Sequence, residues 1–215
     1  NYTAQYMHNT LQFNNGMLNG SPVKSSEIAF LLGISNTGWS WGPLIVDFDN
    51  DGDKDIYICN GFIKDLIDLD FINFSTGKSK YFTPSQEKLK EFVGNLPSIV
   101  LPNSIYEQKD TYTFEDVSVK WIEDLPSLSN GVAYADFDLD GDLDIAISNI
   151  NSEAFLIENK TTEKLNNHYF RIKLNGQEKN KNAIGAKITI WSEGNEQHQF
   201  QTVVRGYLSS MEPIV

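Results

Sequence analysis

At 215 residues, 40% of them hydrophobic, the chain is long enough for one larger domain or two small ones around an ordinary soluble core. Its net charge of −12 comes from 29 acidic against 17 basic residues, and ten of the aspartates fall in two short loops, so the acidity marks local sites rather than a polyanionic tail. The sequence offers no basic stripe for nucleic acid, no apolar run of the ~18–20 residues needed to cross a bilayer, and only one cysteine, Cys59, so no intrachain disulfide.

In chain order, Asn1-Tyr-Thr-Ala-Gln5 has neither an initiator methionine nor a signal-peptide pattern, and the sequence reads as a processed or truncated piece. Asn9-Thr-Leu-Gln-Phe13, Ile28-Ala-Phe30 and Gly33 open a unit that recurs loosely at Asn103–Tyr106, Phe114–Val117 and Gly131. Trp39-Ser-Trp41 then stands just before an apolar strand. Paired tryptophans there either fill space between sheets or stack on a sugar.

The strand Leu44-Ile-Val46 runs into Asp47-Phe-Asp-Asn-Asp-Gly-Asp-Lys-Asp55, and Val132–Ala135 runs into the near copy Asp136-Phe-Asp-Leu-Asp-Gly-Asp-Leu-Asp144. Carboxylates at positions 1, 3, 5, 7 and 9 around a glycine at 6 suit Ca²⁺, a hard cation that takes several oxygen ligands. Asp47, Asp49, Asp51 and Asp55 are the candidate side-chain ligands of the first loop, with Asp53 giving its backbone carbonyl. Asp136, Asp138, Asp140 and Asp144 fill those places in the second, with Asp142 giving the carbonyl. An ion-free acidic turn is the alternative, since Asp and Gly favour turns for backbone reasons alone. Five alternating carboxylates would repel one another without a cation among them.

An EF-hand also needs a bidentate Glu at position 12 and flanking helices. Position 12 is Ile58 in one copy and Ile147 in the other, and the flanks Ile56–Cys59 and Ile145–Ile147 are strand-like. Each loop is thus expected to be a β-hairpin turn, with Phe48 and Phe137 at position 2 anchoring it in the apolar layer beneath. Cys59, in one of these strands, is expected to be a buried thiol.

Between Ile63 and Pro102 the repeat is interrupted. Thr83-Pro-Ser-Gln86 provides an N-cap, Pro at N1 and Gln at N3, Leu89, Phe92 and Val93 make an apolar stripe, and Gly94 and Pro97 stop the helix. One amphipathic helix is expected to pack over the strands. Asp65, Asp68 and Asp70, ahead of it, are either loop caps or a further catalytic or metal group. Ala154–Asn159 begins a third unit. From 161 the texture changes: His168–Leu174 alternates as a strand, Asn175-Gly176 signals a hairpin, and Ile188–Trp191 and Gln199–Val204 continue an all-β pattern. Repeats of short strands suggest propeller blades.

The stretch from Trp39 through the first loop to Asn60-Gly61 resembles the FG-GAP/VCBS-type repeat, whose blades are similar to those of integrin α-subunit propellers. Asn182-Ala-Ile-Gly-Ala-Lys187 with Arg205-Gly-Tyr-Leu-Ser-Ser210 resembles the ASPIC/UnbV domain that often follows such repeats. The resemblance implies an all-β fold. A partial β-propeller with calcium-binding hairpin loops would occupy residues 1–160, with a helical insertion at 63–102, and the start of a β-sandwich-like ASPIC/UnbV domain would occupy 161–215. It also implies two Ca²⁺ sites in a larger secreted or cell-surface protein, of the kind found as bacterial outer-membrane lipoproteins.

The leading functional expectation is a non-catalytic interaction module that binds a protein partner, such as an outer-membrane complex, or a surface glycan through Trp39 and Trp41. A surface hydrolase using Asp65, Asp68 and Asp70 is the remaining alternative. His8, His168 and His198 lack metal-ligand spacing, and no Gly-x-Ser-x-Gly is present.

Overall fold

The computed structural model describes residues 8–16, 24–64, 85–165, 167–192 and 194–214. The described residues form antiparallel sheets with a few short helices, so the fold is mostly β, as expected. Strands β1 (Gln12–Asn14) and β2 (Ser25–Glu27) pair with each other. A four-stranded meander follows in the order β3 (Ser40–Val46), β4 (Asp55–Asn60), β5 (Ser104–Asp110) and β6 (Thr113–Asp116). The next sheet runs β7 (Ser129–Ala135), β8 (Asp144–Asn149), β9 (Phe155–Ile157). A hairpin of β10 (Lys187–Ser192) and β11 (Asn195–Phe200) lies in the C-terminal portion. No sheet among the described residues closes into a ring.

The first meander is a middle layer. Along β3 burial alternates, with Leu44 and Val46 inward and Pro43 and Ile45 outward. Strand β4 is buried throughout, because both faces of the sheet are covered. Its Tyr57 and Cys59 join a core with Leu44, Val46, Ile105, Val132, Ile145 and Ile147, while Ile56 and Ile58 face a second core with Ala29, Leu32, Ile34 and Tyr106. One face therefore packs on the β7–β9 sheet and the other on the turn that follows β2. Strands β3 and β7 approach closely at Gly42, where an added Cβ would lie 2.9 Å from the carbonyl oxygen of Asn130. Cys59 is fully buried and its thiol is pushed up to about 12 by that burial, as expected of a structural cysteine.

The free edge of β7 is occupied by the C-terminal segment. The amide of Val132 donates to Ser209 Oγ at 3.2 Å, and that of Tyr134 to Met211 Sδ at 3.2 Å. Met211 itself is buried in the first core.

Several expectations need correction. Helix α1 (Gln86–Asn95) forms at the expected place, but two residues of its apolar stripe are not buried: Phe92 is half-buried and Val93 exposed. The helix is held at its C-terminal end instead, by buried Leu96 and by Lys64 Nζ, which donates to the carbonyls of Gly94 and Leu96 at 3.1 and 2.8 Å. Thr83, Pro84, Asp65, Asp68 and Asp70 lie outside the described residues. His168–Leu174 alternates in sequence but finds no ladder partner among the described residues and is not a strand. Asn175-Gly176 is not a hairpin turn. Gly176 instead accompanies a compact turn in which its amide bonds the Lys181 carbonyl and Asn180 bonds Gln177. Gln199–Val204 leaves the ladder after Phe200.

Candidate metal centres

Each aspartate loop is the turn of a hairpin. Val46 pairs with Asp55 across the first, and Ala135 with Asp144 across the second. Both loops curl the same way because positions 4 and 6 take left-handed backbone: Asn50 and Gly52 at φ 56° and 99°, Leu139 and Gly141 at φ 67° and 98°. The curl turns successive carboxylates inward and lets them cap the amides ahead. Asp49 Oδ1 accepts from the Asp51 amide at 3.3 Å and Asp51 Oδ1 from Asp53 at 2.9 Å. Asp138 and Asp140 do the same for Asp140 and Asp142, at 3.3 and 3.1 Å.

The result is two triads of converging oxygens. Asp47, Asp49 and Asp51 each offer a carboxylate oxygen within 4.8 Å of the others, and so do Asp136, Asp138 and Asp140. Within them Asp47 Oδ1 and Asp136 Oδ1 are buried with no hydrogen-bond partner. A buried carboxylate oxygen without a donor is costly. An all-oxygen donor set carrying such orphans fits a hard divalent cation.

The other four aspartates have different surroundings. The carboxylates at position 9 clasp the loop to the third strand. Asp55 accepts from the amides of Phe48 and Gln108, both at 3.0 Å, and Asp144 from those of Phe137 at 2.9 Å and Asn159 at 2.7 Å. At position 7, Asp53 is exposed, with its amide bonded to Asp51. Asp142 is fully buried. Its Oδ2 accepts from the Thr162 amide and hydroxyl at 3.0 and 3.2 Å, and its Oδ1 has no partner.

Electrostatics follow the crowding. Burial first, then the neighbouring charges of Asp51 and Asp47, push Asp49 up to about 6. Burial pushes Asp55 up to about 7 against the two amides that favour its charged form. Asp47 is raised by burial, with Lys54 opposing. In the second loop Asp140 is also desolvated by burial, but hydrogen bonds from the Asp142 amide and the Thr162 hydroxyl hold it below the usual carboxylate value. Arg171 Nη1 reaches Asp136 Oδ2 at 3.3 Å while its Nη2 reaches Glu212 at 3.2 Å. Both loops border one cleft of about 440 Å³, whose far wall includes Arg171, Arg205 and Gln197 of the C-terminal portion.

Sequence reasoning missed the residues that hold the loops. Gln108 and Asn159 reach Asp55 and Asp144 through backbone amides, which carry no side-chain signature, and add side-chain bonds to the loops, Gln108 Oε1 accepting from the Lys54 amide at 3.3 Å and Asn159 Nδ2 donating to the Leu143 carbonyl at 3.2 Å. Thr162, Asn167 and Arg171 lie outside the nine-residue pattern, and Asn50 sits at its position 4, where the pattern asks for no ligand. The sequence does contain one usable signal, the third-strand repeat that ends at Asn159.

The remaining candidates are spread out. Trp39 stacks on Phe62 with ring centroids 4.7 Å apart, and Trp41 packs against Tyr207 at 4.7 Å and donates Nε1–H to the Gly61 carbonyl. Both tryptophans are half-buried. His8 packs on Phe30, His168 lines the cleft beside the loops, and His198 lies against Thr189 and Glu196.

Residues 176–215 match the family model described as ASPIC and UnbV. No curated protein matches the chain. No helix among the described residues is long and apolar enough to cross a membrane.

Proposed function

We propose that the chain is a calcium-stabilised, non-catalytic interaction module of a larger secreted or cell-surface protein, in which FG-GAP/VCBS-type blades precede the ASPIC/UnbV domain. The observation that carries this reading is the convergence of three aspartate oxygens beside an orphaned buried one, twice on the same strand–turn–strand frame. The blade assignment is supported by the β3–β6 meander and by β7–β9, which starts the same pattern with its loop in the equivalent turn. Asp47, Asp49 and Asp51 would hold one ion, with Asp55 and the Asp53 carbonyl completing the set. Asp136, Asp138 and Asp140, with Asp144 and the Asp142 carbonyl, would hold the other.

A bound ion supplies charge neutralisation to a self-repelling turn, and because the unfolded chain has no such site, binding free energy becomes folding free energy. Modules of this kind need the millimolar calcium found outside cells, which is the ground for a cell-surface location; outer-membrane association belongs to the same proposal. The partner is a protein or a glycan. With Trp41 committed to Tyr207 and Gly61, Trp39 and Phe62 are left to wall a cleft of about 190 Å³ where a sugar ring would stack.

Thermal unfolding in millimolar calcium and in EDTA, with metal analysis of the folded protein, tests the reading. Two calcium ions per chain and a melting temperature several degrees lower in EDTA are expected. Identical melting curves with no retained metal would refute it.

A further inference from the structure

The described residues of the stretch from Asn159 to Asn167, 159–165 and Asn167, touch both aspartate loops at once. On the first loop, Asn159 Nδ2 and Thr161 Oγ1 donate to the Phe48 carbonyl at 2.7 and 3.3 Å, and Asn167 Nδ2 donates to the Asp49 carbonyl at 2.8 Å. On the second, the Asn159 amide bonds Asp144 at 2.7 Å and its side chain bonds the Leu143 carbonyl at 3.2 Å. Thr162 there bonds both Asp140 and Asp142. One direct strut joins the loops as well: Asn50 Nδ2 donates to the Gly141 carbonyl at 3.2 Å.

These contacts fall on the groups that an ion would fix. Phe48 and Asp49 belong to the curl that aims the first triad, and Asp140 is a member of the second. The bridging segment carries only the short helix α2 (Thr161–Lys164), none of whose residues is buried. Its placement therefore depends on these polar bonds rather than on a packed apolar face.

We propose that the two ion sites are positively coupled through this segment, with Asn159 and Asn167 as the positioning residues. The inference rests on the calcium reading above. An ion at the first loop fixes the Phe48 and Asp49 carbonyls, which orders the segment and so presents Thr162 and the Asn159 amide to the second loop. The second ion then meets a loop whose ordering cost has already been met, which raises its affinity without any new ligand. By linkage the effect is the same in the other direction.

The test is calcium titration by calorimetry on folded single-site variants of the full chain. Asp49→Asn/Asp51→Asn disables the first site and Asp138→Asn/Asp140→Asn the second; stepwise constants of the intact protein give the coupling. The second site is expected to bind at least about fivefold more weakly when the first is disabled, within the usual range of such couplings. In an Asn159→Ala/Asn167→Ala background the difference should shrink to under about twofold, while both sites still bind. The Asn159 amide bond to Asp144 survives that substitution, and single Asn167→Ala provides a milder cut if the double variant does not fold. Hydrogen exchange gives a second readout: the Thr162 amide should slow when only the first site is filled. Equal second-site affinity with and without the first site, or coupling that persists undiminished in the Asn159/Asn167 background, would overturn the inference and leave the calcium reading standing. Absence of any saturable calcium binding by the folded wild-type chain would remove both.

Discussion

The two aspartate loops share a nine-residue frame, the same hairpin register, the same pair of left-handed positions and the same clasp at position 9, yet the packing around positions 2 and 7 and the nearby cations differ. Phe48 at position 2 of the first is 3% exposed and sits in the main core, whereas Phe137 in the second is 52% exposed. Position 4 is Asn50 in one and Leu139 in the other, although both adopt left-handed backbone. Position 7 is exposed in the first loop and fully buried against Thr162 in the second. A guanidinium lies on Asp136, whereas the first loop has Lys54 of its own strand end. The frame thus dictates how the backbone turns and where the oxygens point. The neighbours decide how firmly the turn is held and how much charge is left for an ion to neutralise.

The sharpest way to break the likeness is at position 2. Phe48→Ala should destabilise the protein by about 3–5 kcal/mol, the usual cost of emptying a buried aromatic site, while Phe137→Ala should stay within about 0.5 kcal/mol. Urea unfolding of the two variants checks this, and equal losses would contradict the burial difference. At position 6, alanine is strained by about 1–2 kcal/mol in both loops because the backbone is left-handed. At Gly141 the added Cβ would also meet the Tyr169 ring at 1.8 Å, but at Gly52 it meets only the end of the flexible Gln197 amide, at 2.6 Å. Gly141→Ala should therefore be the more damaging of the pair in the same assay.

Acidity separates the loops next. Asp49 at about 6 and Asp55 at about 7 both lie above the 3.8 of an unperturbed aspartate. The folded, ion-free protein accordingly holds more protons than the unfolded chain between about pH 4 and pH 7, and its stability falls as pH rises through that window. In EDTA the melting temperature should be higher near about pH 5 than near about pH 8, and Asp49→Asn should flatten the slope. With calcium present the order should reverse, because protons then compete with the ion. A small gain is expected at position 4. Leu139→Asn places a residue that tolerates left-handed backbone where an exposed leucine now sits, and should stabilise by about 0.5–1 kcal/mol, read as a higher urea midpoint.

The hairpins were legible in sequence because alternation and the glycine-centred aspartate pattern are local properties. So were the third strand before Asn159 and the buried character of Cys59. Phe137 was misjudged because burial depends on what lies opposite, and an identical pattern cannot report a different neighbour. His168–Leu174 shows the same limit: its alternation suits a strand, but a strand also needs a partner edge. Val93 marks another, since a helical stripe states that a face is apolar and not that anything covers it. The double role of position 9 was hidden for a different reason. Asp55 and Asp144 each bond two backbone amides, one from within the loop and one from outside it, in β5 for Asp55 and just past β9 for Asp144, and neither donor is visible as a residue type.

The sealing of β7 by Ser209 and Met211 has a consequence for how these molecules behave in a crowd. An unpaired rim of amides is the usual template on which one copy recruits the next into a growing stack. Here a hydroxyl and a thioether plug two of those donors in place of another backbone. The tail that supplies the plug thereby covers a rim that another copy could otherwise use, and loosening it should show as clumping together with lost packing, because Met211 also fills the main core.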